Sequence, residues 1–162
     1  MEVKLILNFI KKAGVKVRLE SIRTETFFPG MTISNGTLVV DVDQVKHPGD
    51  LLHEAGHIAV TPKAVRTELD SETGSSLFDE GSEIAAIAWS YAACKYLEID
   101  PHFVFHEEAY NGQGNAIVNN FEQGSYFGVQ MLQWHGMTFG AKGANVFQVD
   151  PFPHMVNWSS VI

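Results

Sequence analysis

The first 45 residues change from a helical to a strand spacing of apolar positions. Over residues 3–12 the apolar positions recur on one helix face, and a glycine follows, so the pattern predicts a short helix. Residues 15–22 (VKVRLESI) alternate apolar and polar positions, which is typical of a half-buried strand. Two β-prone runs then flank Asn35-Gly36, a dipeptide that favours a two-residue hairpin because both positions accept a positive φ. This part of the chain predicts one helix and a small antiparallel sheet.

The period changes again at Pro48, where we expect a helix of about three turns. Proline is tolerated in a first helical turn, and Asp50 is a residue type that caps free N–H groups there. Apolar residues follow at helical spacing until Pro62 stops the pattern. The predicted helix carries the segment HEAGH, residues 53–57, near its middle.

Residues 75–97 predict a second helix that is buried on most sides. Alanines are frequent in it, and they both favour helix and allow close packing against the preceding helix. No charge occurs between Glu83 and Lys95. A carboxylate at the edge of such an apolar stretch needs a partner, and a metal ion would be one.

Two more helices are predicted in the second half of the chain. Asp100-Pro101 is a good opening for a helix over residues 99–110, and apolar spacing favours a helix over 119–137 that ends near Gly136. The expected fold class is α+β. A small antiparallel sheet packs on the HEAGH helix and on the following helix that bears Glu83. We expect a single domain over residues 1–162.

Composition narrows the range of functions. The chain has 162 residues, 45% hydrophobic and 19% charged, as is ordinary for a soluble globular protein. Its net charge of −8 argues against nucleic-acid binding and against docking on anionic membranes. No apolar run reaches the ~20 residues of a membrane span, and the N-terminus lacks a signal-peptide pattern, so we expect a cytoplasmic protein. The single cysteine, Cys94, cannot form an internal disulfide and is read as a small buried hydrophobe.

The HEAGH segment has the spacing of a metal site. His53 and His57 lie one turn apart on the same helix face, roughly 6 Å between Cβ atoms, so their imidazoles can point at one ion. Glu54 is rotated by about 100° from His53 and can lean over the open side of the metal. There its carboxylate could take a proton from a zinc-activated water, as in the H-E-x-x-H mechanism.

A catalytic zinc needs a third protein ligand. The metzincin class would supply a histidine six residues after His57, but that position is Lys63. A glutamate from the following helix is the alternative. Glu83 is favoured, and Glu80 is its rival one turn earlier, although an acid in a first helical turn is also explained by the helix dipole.

The segment LLHEAGHIAV, followed by EIAAIAWSYAA, resembles the gluzincin arrangement, in particular the small ImmA/IrrE-like zinc metallopeptidases. Gly56 matches the glycine before their second histidine, and Ala86 and Trp89 match the spacing after their ligand glutamate. The resemblance implies a minimal zincin-like domain, with His53, His57 and Glu83 as zinc ligands and Glu54 as general base. One departure is Ile87, at a position where larger thermolysin-like gluzincins carry an aspartate that supports a ligand histidine.

The function that the sequence favours is a zinc-dependent metallopeptidase acting on a peptide or protein substrate. His106, Tyr110 and His135 are candidates for stabilising the transition state. The favoured interpretation is nevertheless a solvated helix face for the segment with His106, and core packing for the helix with His135. The alternative is a non-catalytic zinc-binding regulatory or structural protein with the same ligands, and a third reading is a small-substrate amidase. Zinc is inferred from ligand type, and other divalent ions suit the same set. No oligomeric state is indicated.

Overall fold

A computed structural model describes residues 2–162. Three strands come early, and six α-helices account for most of the regular structure of these residues. In chain order the elements are α1 (Glu2–Lys12), β1 (Lys16–Leu19), β2 (Met31–Ser34), β3 (Thr37–Val40), α2 (Asp50–Val60), α3 (Glu80–Leu97), α4 (Gly114–Glu122), α5 (Val129–Trp134) and α6 (Ala141–Phe147). Within residues 2–162, no helix combines the length and apolar character that crossing a membrane requires.

The sheet is mixed, so the expectation of an antiparallel sheet is wrong in part. β2 and β3 form the predicted antiparallel hairpin around Asn35-Gly36, with both turn residues at positive φ. β1, however, pairs in parallel with β3, which gives the order β1-β3-β2. The sequence signal for this was the run Leu38, Val39 and Val40, which is fully buried, because a central strand covered on both faces reads as a continuous apolar run.

Helices α2 and α3 pack closely against each other. All eleven residues of α2 are buried. Gly56 makes the close approach possible, because a Cβ at this position would lie 3.1 Å from the carbonyl oxygen of Ala86 and 3.3 Å from its Cβ. The predicted alanine-rich face of α3 therefore meets a glycine on α2, and the start of α3 is brought over the middle of α2.

The helix predicted over residues 99–110 does not form. One turn of 3₁₀ helix, Pro101–Phe103, opens the segment, and the chain then runs irregularly to a second short turn, Tyr110–Gly112. The adjacent residues Val104 and Phe105 are both buried. Packing of this segment against the body of the protein, rather than helical periodicity, sets its path.

The helix predicted over residues 119–137 is two helices, α4 and α5. Gly124 and Gly128 both adopt a positive φ between them, and this conformation cannot continue a helix. At Gly128 the chain also approaches α3 so closely that a Cβ would lie 2.1 Å from the carbonyl oxygen of Ile84. These glycines were the available signal, and apolar spacing alone did not reveal the break.

Candidate metal centre

Three side chains from two helices converge at the predicted site. His53 and His57, on consecutive turns of α2, place their Nε2 atoms 3.2 Å apart. Glu83, in the first turn of α3, lies with Oε2 3.1 Å from His57 Nε2 and Oε1 3.5 Å from His53 Nε2. Both histidines are 5% exposed, whereas the Glu83 side chain is 44% exposed. Among residues 2–162, this is the one group of three or more potential ligands that could hold a metal ion.

The spacing of these donor atoms fits a tetrahedral ion. Ligand atoms that lie about 2.0–2.1 Å from a zinc ion in tetrahedral geometry are separated by about 3.3 Å from one another. The three observed separations, 3.1, 3.2 and 3.5 Å, bracket this value. Two imidazole nitrogens and a carboxylate are also donor types that zinc prefers. The residues present therefore fit a zinc-sized divalent cation.

The electrostatics of the cluster favour a cation between the donors. Burial acts to raise the pKa of Glu83, but the hydrogen bonds and charge of His53 and His57 outweigh it and hold that pKa well below its usual value. The carboxylate is therefore ionised. Two imidazole nitrogens and this anionic group crowd together, so protons or a metal ion must lie between them to offset the repulsion of their lone pairs.

Glu80, the rival third ligand, does not join the cluster. It is the first residue of α3 and is exposed, while Glu83 one turn later meets the histidines. Asp79 caps the helix by accepting a hydrogen bond from the Ser82 backbone N–H at 2.7 Å. At the start of α3, Asp79 therefore caps the helix, and Glu83 is the acid that lies at the histidine pair.

A cavity of about 480 Å³ opens beside the histidine pair. Phe28 lies edge-on to His53 with ring centroids 6.2 Å apart, and Phe78 lies edge-on to His57 at 5.2 Å. The wall formed by Phe27, Phe28 and Met31 lies 17 to 21 residues before Pro48, where the predicted helix starts, and nothing in the sequence pattern linked it to the site. The cavity is open to solvent on one side and apolar over much of its surface.

Glu54 also lines this cavity. It is 8% exposed, and burial, the largest effect, raises its pKa to about 7 although the charge of His57 acts in the opposite direction. A buried carboxylate beside a candidate metal cluster is an arrangement typical of functional sites. Glu54 is not one of the three residues whose donor atoms converge.

Tyr110 is the one of the three candidate transition-state residues that lines the cavity. Its hydroxyl oxygen lies 2.9 Å from His53 Nδ1. Burial raises the pKa of Tyr110 well above its usual value, and the nearby carboxylates Glu83, Asp50 and Glu54 raise it further, so the phenol stays neutral. Tyr110 and Asn111 have φ of 56° and 54°, a left-handed conformation that costs about 1–3 kcal/mol for a bulky residue.

The other two candidates point elsewhere. His106 Nε2 donates a hydrogen bond of 2.9 Å to Asp50 Oδ1, and His135 Nδ1 pairs with Ser160 Oγ at 3.0 Å in the protein interior. The position of Asp50 predicted that its side chain caps α2. Among the described residues the structure shows no such capping hydrogen bond, so this prediction is wrong. The buried carboxylate of Asp50 instead ties the irregular segment 104–113 to the start of α2.

Comparisons with protein-family models, with curated proteins and with solved structures gave no match to this chain. The resemblance to gluzincins thus rests on the motif residues. The cluster of His53, His57 and Glu83 is the feature of this chain that points to a function.

Proposed function

We propose that this protein is a zinc-dependent metallopeptidase, in which His53, His57 and Glu83 hold the ion and Glu54 is the general base. The observation that carries the proposal is the convergence of the three donor atoms at separations of 3.1–3.5 Å beside an open cavity that Glu54 also lines. Zinc sites with three protein ligands and one open position are typically catalytic, whereas structural sites are closed by four. Glu83 is half-exposed and borders the cavity, so a fourth position on that side would be open to solvent or substrate.

A bound zinc ion would supply two effects here, a lowered pKa for a water molecule and polarisation of the substrate carbonyl. The remaining steps belong to the chain itself. Glu54 removes a proton from the attacking water, whose oxygen bonds to the carbonyl carbon of the substrate. The C–N bond then breaks, and Glu54 returns the proton to the leaving amine. The atoms balance as one water consumed for each peptide bond cleaved.

The substrate class follows from the cavity. An opening of about 480 Å³ with apolar walls from Phe27, Phe28, Met31 and Phe78 suits a segment of polypeptide chain. The net charge of −8 disfavours nucleic acid and anionic membranes as binding partners. We therefore propose a peptide or protein substrate.

The test compares the wild type with Glu54→Gln, a substitution that keeps side-chain size and removes the base. Zinc content is measured by mass spectrometry of the dialysed proteins, and hydrolysis is followed on a mixed peptide library. We expect about one zinc ion per chain in both proteins and cleavage by the wild type alone. Glu80→Gln is the matched control, because the same chemical change on an exposed acid of α3 should alter neither property.

Two results would overturn the proposal in different ways. A wild type that binds zinc and cleaves no library peptide would be a zinc-binding protein without peptidase activity. A wild type that binds no divalent ion would remove the metal centre itself.

A further inference from the structure

The contact between Tyr110 and His53 is the feature from which we draw an inference. The two rings are perpendicular, at 89°, with centroids 5.4 Å apart, and the hydroxyl oxygen is 2.9 Å from Nδ1. The opposite nitrogen, Nε2, faces His57 and Glu83. An imidazole that offers Nε2 to a cation carries its hydrogen on Nδ1, so Tyr110 Oη becomes the acceptor of that hydrogen.

The two ligand histidines differ in this respect. His57 Nδ1 is buried and has no hydrogen-bond partner among the described residues, whereas His53 Nδ1 has Tyr110. A partner on the far nitrogen fixes the tautomer and the orientation of a ligand histidine and makes it a stronger donor. Position 87, four residues after Glu83, is isoleucine and cannot act as an acceptor.

The backbone holds Tyr110 in place at a cost in strain. A left-handed tyrosine persists only where the surrounding structure over-determines it, and such outliers cluster at functional sites. Here the constraint comes from His106, which lies four residues before Tyr110 on the same segment. His106 donates a hydrogen bond to the buried carboxylate of Asp50. Gly114 adds a second constraint, since a Cβ there would lie 2.2 Å from the carbonyl oxygen of Phe105.

We propose that Tyr110 is a positioning residue, whose hydroxyl oxygen accepts the Nδ1 hydrogen of His53 and so holds Nε2 toward the metal. The Asp50–His106 pair anchors the segment that presents it. This inference rests on the metal site of the proposed function but not on catalysis. A tyrosine here takes the supporting part that a carboxylate or a backbone carbonyl often has at zinc histidines.

The test is Tyr110→Phe, which keeps the ring and removes only the hydroxyl. Zinc affinity is measured by competition with a chromogenic chelator, and the visible absorption of the Co²⁺-loaded protein reports the ligand field. We expect the dissociation constant for zinc to rise about 10- to 100-fold and the cobalt bands to shift, because His53 becomes a weaker donor. If the substitution lowered zinc affinity only by disturbing the fold, the cobalt absorption bands of the metal-loaded fraction would stay unchanged.

Two control variants separate the hydroxyl from its surroundings. Tyr91→Phe removes a hydroxyl whose hydrogen bond to Glu122 Oε1, at 2.9 Å, is remote from the site, and zinc affinity should not change. Asn111→Gly relieves the adjacent left-handed backbone and leaves the Tyr110 hydroxyl in place, and affinity should again be kept.

The outcomes distinguish the two proposals. If Tyr110→Phe is folded, binds zinc as tightly as the wild type and shows the same cobalt bands, the positioning role is refuted while the metal site stands. If Tyr110→Phe and Asn111→Gly weaken zinc binding equally and neither shifts the cobalt bands, the loss of affinity comes from the loop and not from the hydroxyl, and the positioning role is again refuted. If the wild type binds neither zinc nor cobalt, both proposals fail.

Discussion

Replacement of Gly56 by alanine tests whether the close approach of α2 and α3 builds the site. An ideal Cβ at Gly56 would lie 3.1 Å from Ala86 O and 3.3 Å from both Ala86 Cα and Ala86 Cβ. The contacts are to backbone and to a methyl group, none of which can rotate away. The two helices must therefore separate by a few tenths of an ångström to admit the added methyl group.

The magnitude follows from two opposing terms. Alanine is favoured over glycine in a helix interior by about 1 kcal/mol. Overpacking a tightly filled contact costs about 1–3 kcal/mol. The net loss in the free energy of unfolding is therefore about 0–2 kcal/mol. Separation of the helices also moves Glu83 away from the histidines, and we expect zinc affinity to fall about tenfold, equivalent to about 1.4 kcal/mol.

The assay is urea unfolding of the metal-free protein followed by circular dichroism, together with chelator competition for zinc. Gly81→Ala is the matched control, because its added Cβ would meet only the ends of flexible side chains, Asp79 Oδ1 at 3.3 Å and Met131 Cε at 3.5 Å. That variant should keep or gain stability and keep zinc affinity. The reasoning is refuted if Gly56→Ala is more stable than the wild type and binds zinc equally well.

Three further predictions concern the rest of the fold. Cys94 is fully buried, and burial raises its pKa to about 12, so a thiol reagent at pH 8 should modify it only after denaturant is added; rapid labelling of the native protein would contradict this. Gly128→Ala should cost about 2 kcal/mol or more in urea unfolding, because the new Cβ meets Ile84 O at 2.1 Å; Gly124→Ala, with the same positive φ and open space, should cost only about 1 kcal/mol. The hydrogen bond from the Ile22 N–H lowers the pKa of Asp41 below 3.8, so its stabilising contribution exists above pH ~4 and disappears as the pH falls through the folded pKa. The difference in unfolding free energy between wild type and Asp41→Asn should therefore shrink as the pH falls below about 4. A difference that stays constant with pH would contradict this prediction.

The β2–β3 hairpin and the two helices that carry the ligands, α2 and α3, were predictable because each has a local signal. Asn35-Gly36 specified the hairpin, and Pro62 marked the end of α2 within two residues. The convergence of His53, His57 and Glu83 was inferred from helical spacing and from a lone carboxylate beside an alanine-rich stretch. For these elements the local sequence signals and the observed fold indicate the same structure, and this agreement is what makes them predictable.

Non-local contacts account for what the sequence did not reveal. The apolar run of β3 indicates a strand that is buried on both faces, but it does not specify that β1 pairs with it in parallel, because that pairing is a contact between residues about twenty positions apart. Asp50 is a typical capping residue at a predicted helix start, yet its carboxylate accepts a hydrogen bond from His106, which is 56 residues later in the chain. The segment over residues 99–110, which was predicted as a helix, is irregular between two short turns, and its Tyr110 contacts His53.

The amount of zinc bound per chain after dialysis, compared between the wild type and His57→Ala, tests whether the side chains of His53, His57 and Glu83 hold an ion. Because His57 Nε2 lies 3.2 Å from His53 Nε2 and 3.1 Å from Glu83 Oε2, its loss removes the atom shared by both short separations. We predict about one zinc ion per wild-type chain and almost none in the variant. Equal zinc content in the two proteins, or none in the wild type, would contradict the account.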